Sequence, residues 1–179
     1  MSLTTLDIKE PGLNLLPPGV ERYVVEGGGL TGIQILPEDQ IEIINNEGNQ
    51  ICEISVFNKD GKSELAILGL KEIKDNSEIK KILFKKDETS LQALLQLKKR
   101  NLNIEKSKSS LVFDKETKAG ESIKLRSKDK CYCIIAAPGN EMMVHEQNPS
   151  TELTVMIKRS VIKKDKEFSI IPDPVYDPS

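Results

Sequence analysis

The chain has no tryptophan, a single histidine, and aromatic residues at only 4% of its length. Surfaces that hold single-stranded nucleic acid stack bases on aromatic rings, so this scarcity argues against such a partner. Arginine is equally thin: Arg22, Arg100, Arg126 and Arg159 are four of 26 basic residues. The lysines are dispersed among acids and form no stripe. A formal net charge of −2 implies no strong electrostatic partner. No apolar run approaches the roughly 18 residues a membrane helix needs. The opening MSLTTLDIKEPG lacks the basic start and apolar stretch of a secretory signal. Cysteine is also sparse, three residues with no framework spacing. Together these absences predict a cytoplasmic chain with reduced thiols and neither a nucleic-acid nor a membrane partner.

At 179 residues the chain suits one domain with a real core. Residues 1–19 read as an irregular arm, because Pro11, Gly12, Pro17, Pro18 and Gly19 forbid a long helix. Residues 20–165 read as a single β-rich domain, and 166–179 as a proline-rich, linker-like tail. VERYVVEGGG reads as a strand ending in three glycines. Ile33 and Ile35 alternate, as do Ile41 and Ile43, with NNEG as a turn. Beyond that turn Cys52, Ile54 and Val56 share one face, which leaves Glu53 and Ser55 on an exposed one. ELAILGL reads as a further buried strand.

At about residue 76 the period changes. Ile79, Ile82 and Leu83 recur at helical spacing, as do Leu91, Leu94 and Leu95. This predicts a two-helix insert over about 76–101, with Thr89 or Ser90 capping the second helix and Lys98, Lys99 and Arg100 favoured at its end by the macrodipole. SSLVFD, ESIKLRS, CYCIIAAPG, MMVHEQ and TELTVMIKR return to extended chemistry. The fold class is therefore mainly β, sandwich or barrel-like, with a small α-helical insert: α+β by count.

KCYCIIAAPGNEMMVHEQ gathers most of the candidate chemistry. On a strand Cys131 and Cys133 point the same way, with Cα atoms about 6.5 Å apart, a poor zinc chelate compared with two cysteines on a tight turn. A metal site from Cys52, Cys131, Cys133 and His145 has enough ligands on paper. The pattern favours the plainer reading, in which all three cysteines are small buried hydrophobes. His145, Cys131 and Cys133 are also the candidates for catalysis, with Glu146 or Asp129 to orient the imidazole. Gly27, Gly28 and Gly29 superficially suggest a phosphate loop, but no helix follows and no G-K-[ST] is present, so a β turn with close backbone approach fits better. Those glycines and Glu53 remain candidates for binding a small ligand.

LPEDQIEIINNEGNQICEISVFN resembles the opening module of the urea carboxylase-associated family, through Glu47, Gly48, Gln50, Glu53 and Asn58; that family usually carries aspartate where Glu53 stands. CYCIIAAPGNEMMVHEQNPSTELTVMIKR is similar to the closing strands, with Pro138 and the Pro149–Thr151–Leu153 approach to the last strand. The resemblance implies a β-rich domain with a small helical insert. Catalytic relatives, which act on urea- or amidine-type nitrogen, carry a central His-Asp-Thr segment and a nearby cysteine; residues 63–130 here contain neither histidine nor cysteine. The whole sequence, down to IPDPVYDP, also resembles modules that precede an aminomethyltransferase domain similar to the glycine-cleavage T-protein. That resemblance implies tetrahydrofolate on the parent protein and no cofactor in this domain.

Three functional expectations follow. The first is a non-catalytic accessory domain of an aminomethyltransferase-like one-carbon enzyme, partnered by a downstream domain of the same polypeptide and capable of homo-oligomerising. The second is a stand-alone hydrolase of small C–N compounds with a Cys/His or metal site. The third is a small-ligand binding module with its pocket near Gly27–Gly29 and the C-Y-C strand.

Overall fold

Among the described residues alternating apolar side chains build nine strands, and a helical pair interrupts them. The computed structural model describes residues 16–85, 87–114, 116–139 and 150–161. The first 15 residues of the arm, MMVHEQ with His145, and the 166–179 tail lie outside the described residues. The strands are β1 (Val20–Val25), β2 (Leu30–Ile35), β3 (Gln40–Asn45), β4 (Cys52–Phe57), β5 (Lys74–Asp75), β6 (Lys108–Phe113), β7 (Ser122–Arg126), β8 (Cys131–Ala136) and β9 (Leu153–Lys158). Helices α1 (Ser77–Leu83) and α2 (Glu88–Lys99) fall between β5 and β6.

Two antiparallel sheets result, ordered β1-β9-β3-β7 and β2-β8-β4-β6-β5. The first core lies between them. The four-stranded sheet supplies Ile41, Ile43, Leu153, Val155 and Ile157; the five-stranded sheet supplies Ile33, Ile35, Cys52, Ile54, Val56, Cys131, Cys133 and Ile135. The mainly β, sandwich-like class with a small helical insert is what the alternation predicts. A second core lies on the other face of the five-stranded sheet, where Ile79, Leu83 and Leu97 of the helices cover Phe57, Ile134 and Ala136. Because both faces are covered, every residue of β4 is buried.

That double burial corrects the reading of Glu53. Alternation places it opposite Cys52, Ile54 and Val56, and so it does lie on the other face, but that face is roofed by helices and Glu53 is 0% exposed. ELAILGL is corrected too. It forms a 3₁₀ turn, Leu65–Leu68, ended by Gly69 at φ 75°. Leu65, Ile67 and Leu68 plug the inter-sheet core, and so short an apolar run has no periodicity to separate strand from helix. The cap of α2 is Asp87, not Thr89 or Ser90: its Oδ1 accepts the Ser90 amide at 2.7 Å, while Ser90 Oγ donates to the Ile82 carbonyl. Among the described residues no helix is long and apolar enough to cross a membrane.

Candidate functional site

Register decides where the thiols go. Cys131 pairs with Ile35 across the sheet, and Cys133 pairs with Ile33 on one side and Val56 on the other. Both side chains point into the inter-sheet core, with their sulfurs 3.9 Å apart. Cys52 shares that inner face but stands four residues along β4 from Val56, roughly 13 Å away by strand rise. The structure therefore brings Cys131 and Cys133 together and leaves Cys52 apart. Among the described residues no group of three or more histidine, cysteine or carboxylate side chains is arranged to hold a metal ion.

The thiols' environment disfavours their reactive form. Burial pushes Cys52 well above an ordinary thiol, with the nearby Glu53 charge adding to it. The Cys131 sulfur and burial together push Cys133 well up. Cys131 moves down, because the Cys133 thiol and the Ser127 hydroxyl can both donate to it; the Ser127 contact is 3.6 Å. Yet Cys131 is itself only 3% exposed. The nucleophile is the thiolate, and it must be reachable. Neither condition holds at Cys52 or Cys133.

Glu53 is committed to the fold. Its Oε1 accepts the Ile79 amide at 3.0 Å and its Oε2 accepts Lys74 Nζ at 2.8 Å. Ile79 is the third residue of α1, whose own cap position, Asn76, makes no capping bond. Asn76 instead donates to the Ile104 carbonyl and to Ser107 Oγ. A carboxylate on β4 thus does the capping from a neighbouring element, where it also meets the positive end of the helix.

Two other residues of the opening motif block, Gln50 and Asn58, are engaged in the same way. Gln50, 1% exposed, donates to the Ile51 and Pro138 carbonyls and accepts the Thr151 amide. It so ties the β3–β4 turn to the residues on either side of 140–149. Asn58 Oδ1 accepts the amides of Asp60 and Lys62 and closes the turn after β4.

Gly28 and Gly29 line a groove, and Gly27 does not. Gly28, at φ 82°, donates its amide to the Ala137 carbonyl, and Gly29 accepts the Ala137 amide. Gly27 has no room for a side chain, since a Cβ there would lie 2.6 Å from the Ser150 backbone. Between this turn and the two helices is a groove of about 320 Å³. Gly28, Gly29, Val24, Leu30, Ile82 and Ala93 give it apolar and backbone walls, and Glu26, Lys85 and Asp87 give it charge. Asp87 titrates below an ordinary aspartate, chiefly because it accepts the Ser90 amide. The C-Y-C strand, expected beside this pocket, does not line it.

One charged cluster escapes a sequence reading altogether. Arg159 makes a two-pronged pair with Glu21, at 2.9 and 2.7 Å, and a 2.7 Å pair with the 1%-exposed Asp39. Burial alone would raise the Glu21 carboxyl, but hydrogen bonds from Arg159 and Tyr23 and the guanidinium charge bring it below its usual range. Burial alone would lower Arg159; its two carboxylate partners raise it instead. These residues lie at opposite ends of the described chain, so no local spacing announces them. Their bidentate geometry closes the seam where β1 meets β9.

No protein-family model matches the chain. It is 36% identical over 172 residues to the trimethylamine-oxide aldolase of Ruegeria pomeroyi, a match covering 96% of this chain and 22% of that protein. The chain thus spans about a fifth of the length of this curated relative. It is also similar to a crystal structure of a DUF1989 family protein from Silicibacter pomeroyi, with a TM-score of 0.47 and 11% identity, covering 87% of this chain and 83% of that one.

Proposed function

We propose that this chain is a non-catalytic accessory domain of a larger cytoplasmic one-carbon enzyme that acts on a methylated amine oxide. The observation that carries the reading is the likeness to a trimethylamine-oxide aldolase along almost all of this chain and only 22% of that protein. The disposition of this chain's own groups supports it. Gln50, Glu53 and Asn58 are bound into turns and a helix cap, and Cys52 and Cys133 are buried thiols. The chemistry assigned to the whole enzyme is balanced without an external oxidant. Trimethylamine N-oxide holds the atoms of one dimethylamine and one formaldehyde. The C–N bond to one methyl group and the N–O bond break, the oxygen becomes the carbonyl oxygen of formaldehyde on that carbon, and one of its hydrogens passes to nitrogen as the amine N–H.

Within this proposal a downstream aminomethyltransferase-like domain carries tetrahydrofolate, whose chemistry is to accept the one-carbon unit. No residue of that domain lies in this chain, and a homo-oligomer is the expected setting. The experiment is to capture the native protein from its source organism with an antibody to this chain. Its mass and its release of formaldehyde from trimethylamine N-oxide are then measured. A particle several times heavier than 20.0 kDa that releases formaldehyde is the expected result. An inactive 20.0 kDa species would overturn the proposal.

A second reading rests on the groove beside Gly28 and Gly29, whose size falls in the range that accepts small ligands. It predicts a saturable rise in Tm with methylated amines, amidines or folates. A flat response to all three classes would remove it. The hydrolase reading, with Cys131 or Cys133 and His145, predicts that His145→Ala abolishes turnover of a small C–N compound while the fold survives. An unchanged rate would end it.

A further inference from the structure

The helical insert has an outer side that the fold leaves bare. On α2 the buried residues are Ser90 and Leu97. Leu91 and Leu95 lie one turn apart, on a different side, and are 51% and 57% exposed. Phe84, at the end of α1, is 43% exposed. Among the described residues three of the large exposed apolar side chains thus fall within one short stretch of the insert, whereas the others are spread over separate strands and loops. Single exposed apolar residues are ordinary; two leucines stacked at i, i+4 make a ridge. The ridge does nothing for either sheet, because the helices attach through Ile79, Leu83 and Leu97.

The charges around the ridge describe what would cover it. Lys98 and Lys99 stand exposed at the end of α2, and Lys85 precedes its start. Among the described residues no carboxylate is within salt-bridge distance of Lys98 or Lys99. A complementary surface is therefore apolar at its centre, with carboxylates at the end facing those lysines. In the trimethylamine-oxide aldolase this chain resembles, more than three-quarters of the polypeptide lies outside the matched segment. That leaves ample length to supply such a surface.

We propose that the Leu91–Leu95 ridge of α2, with Phe84, is the docking face by which this domain packs against an adjoining module of the larger enzyme. That module presents an apolar patch with carboxylates at the end that meets Lys98 and Lys99. The inference rests on the reading of the chain as an accessory domain and assigns the face it uses. A second copy of this chain is the alternative occupant.

The test is hydrogen exchange on the native particle captured with the antibody, beside the 179-residue chain. Amides of Leu91–Leu97 are expected to exchange at least ten-fold more slowly in the particle. The chain carrying Leu91→Lys and Leu95→Lys should keep its Tm, since both positions are exposed. The same pair of changes in the particle should return α2 to fast exchange. Equal α2 exchange in a heavy particle would overturn the docking face and leave the accessory-domain reading standing. Protection of α2 in the chain alone at high concentration, with dimeric mass, would overturn it in favour of self-association. A native mass of 20.0 kDa would overturn both readings.

Discussion

Glu53→Ala should unseat the helical pair. The substitution removes the acceptor of the Ile79 amide, a buried donor that then has no replacement at the start of α1. Orphaning a buried donor costs about 1–3 kcal/mol, and loss of a helix cap typically about 1 kcal/mol; these describe the same bond and are not summed. The Lys74 pair adds less than a fully buried ion pair would, because that side chain is 35% exposed and can turn to water. A loss of about 2–4 kcal/mol is expected. For a chain of this length that lowers Tm by roughly 5–15 °C. Glu53→Gln keeps an oxygen for Ile79 and should cost about half as much. The assay is thermal unfolding followed by circular dichroism, with hydrogen exchange over Ser77–Leu83. Faster exchange in α1 than in the inter-sheet strands should accompany the drop. A Tm for Glu53→Ala within about 1 °C of the parent would refute the reasoning, as would equal losses for alanine and glutamine.

Gly32→Ala tests a close approach on β2, where the added Cβ would fall 2.1 Å from Tyr132 Oη. The ring, which also lies 4.4 Å from the Arg100 guanidinium, must move, and a loss of about 1–3 kcal/mol is expected. Tyr132→Ala in the same chain should relieve part of it, so a double-mutant cycle with strictly additive losses would contradict the contact. The three thiols should resist a disulfide reagent at pH 8 and all react after unfolding, Cys131 leading in the native state. Rapid modification of Cys52 or Cys133 would contradict their burial. Glu21 predicts the acid limb of stability. Its carboxyl is held below the ordinary value of 4.5, so its contribution is full above that pH and is lost as pH falls through the lower folded value. Glu21→Gln should therefore lose stability at pH 7, and the gap in Tm from the parent should narrow below about pH 4.5; a constant gap would contradict the pairing with Arg159.

Strand positions were readable because one face of each strand is apolar and the period of two survives in the sequence, as in Ile33–Ile35 and Ile41–Ile43. The helical insert was readable because Leu91, Leu94 and Leu95 switch to helical spacing. Glu53 was misjudged for a physical reason: alternation tells which residues share a face, but not whether a second layer covers that face. The cap of α2 slipped by two or three residues because Asp87, Thr89 and Ser90 are all good cap residues, and only geometry selects Asp87. The Arg159 cluster was invisible, since its partners meet only after β1 and β9 pair. At the candidate site, spacing correctly brought Cys131 and Cys133 to one side of a strand. The reading of all three cysteines as small buried hydrophobes also holds: that side is the interior of a sandwich, where a thiol is a packing group before it is a nucleophile.

The proposal places the one-carbon chemistry in the larger enzyme and not in this domain. The direct measurement is formaldehyde release from trimethylamine N-oxide by the purified 179-residue chain, assayed with divalent zinc and iron added. No release above the enzyme-free blank is expected under any of these conditions. Saturable turnover by the chain alone, abolished by His145→Ala or by Cys131→Ser, would contradict it.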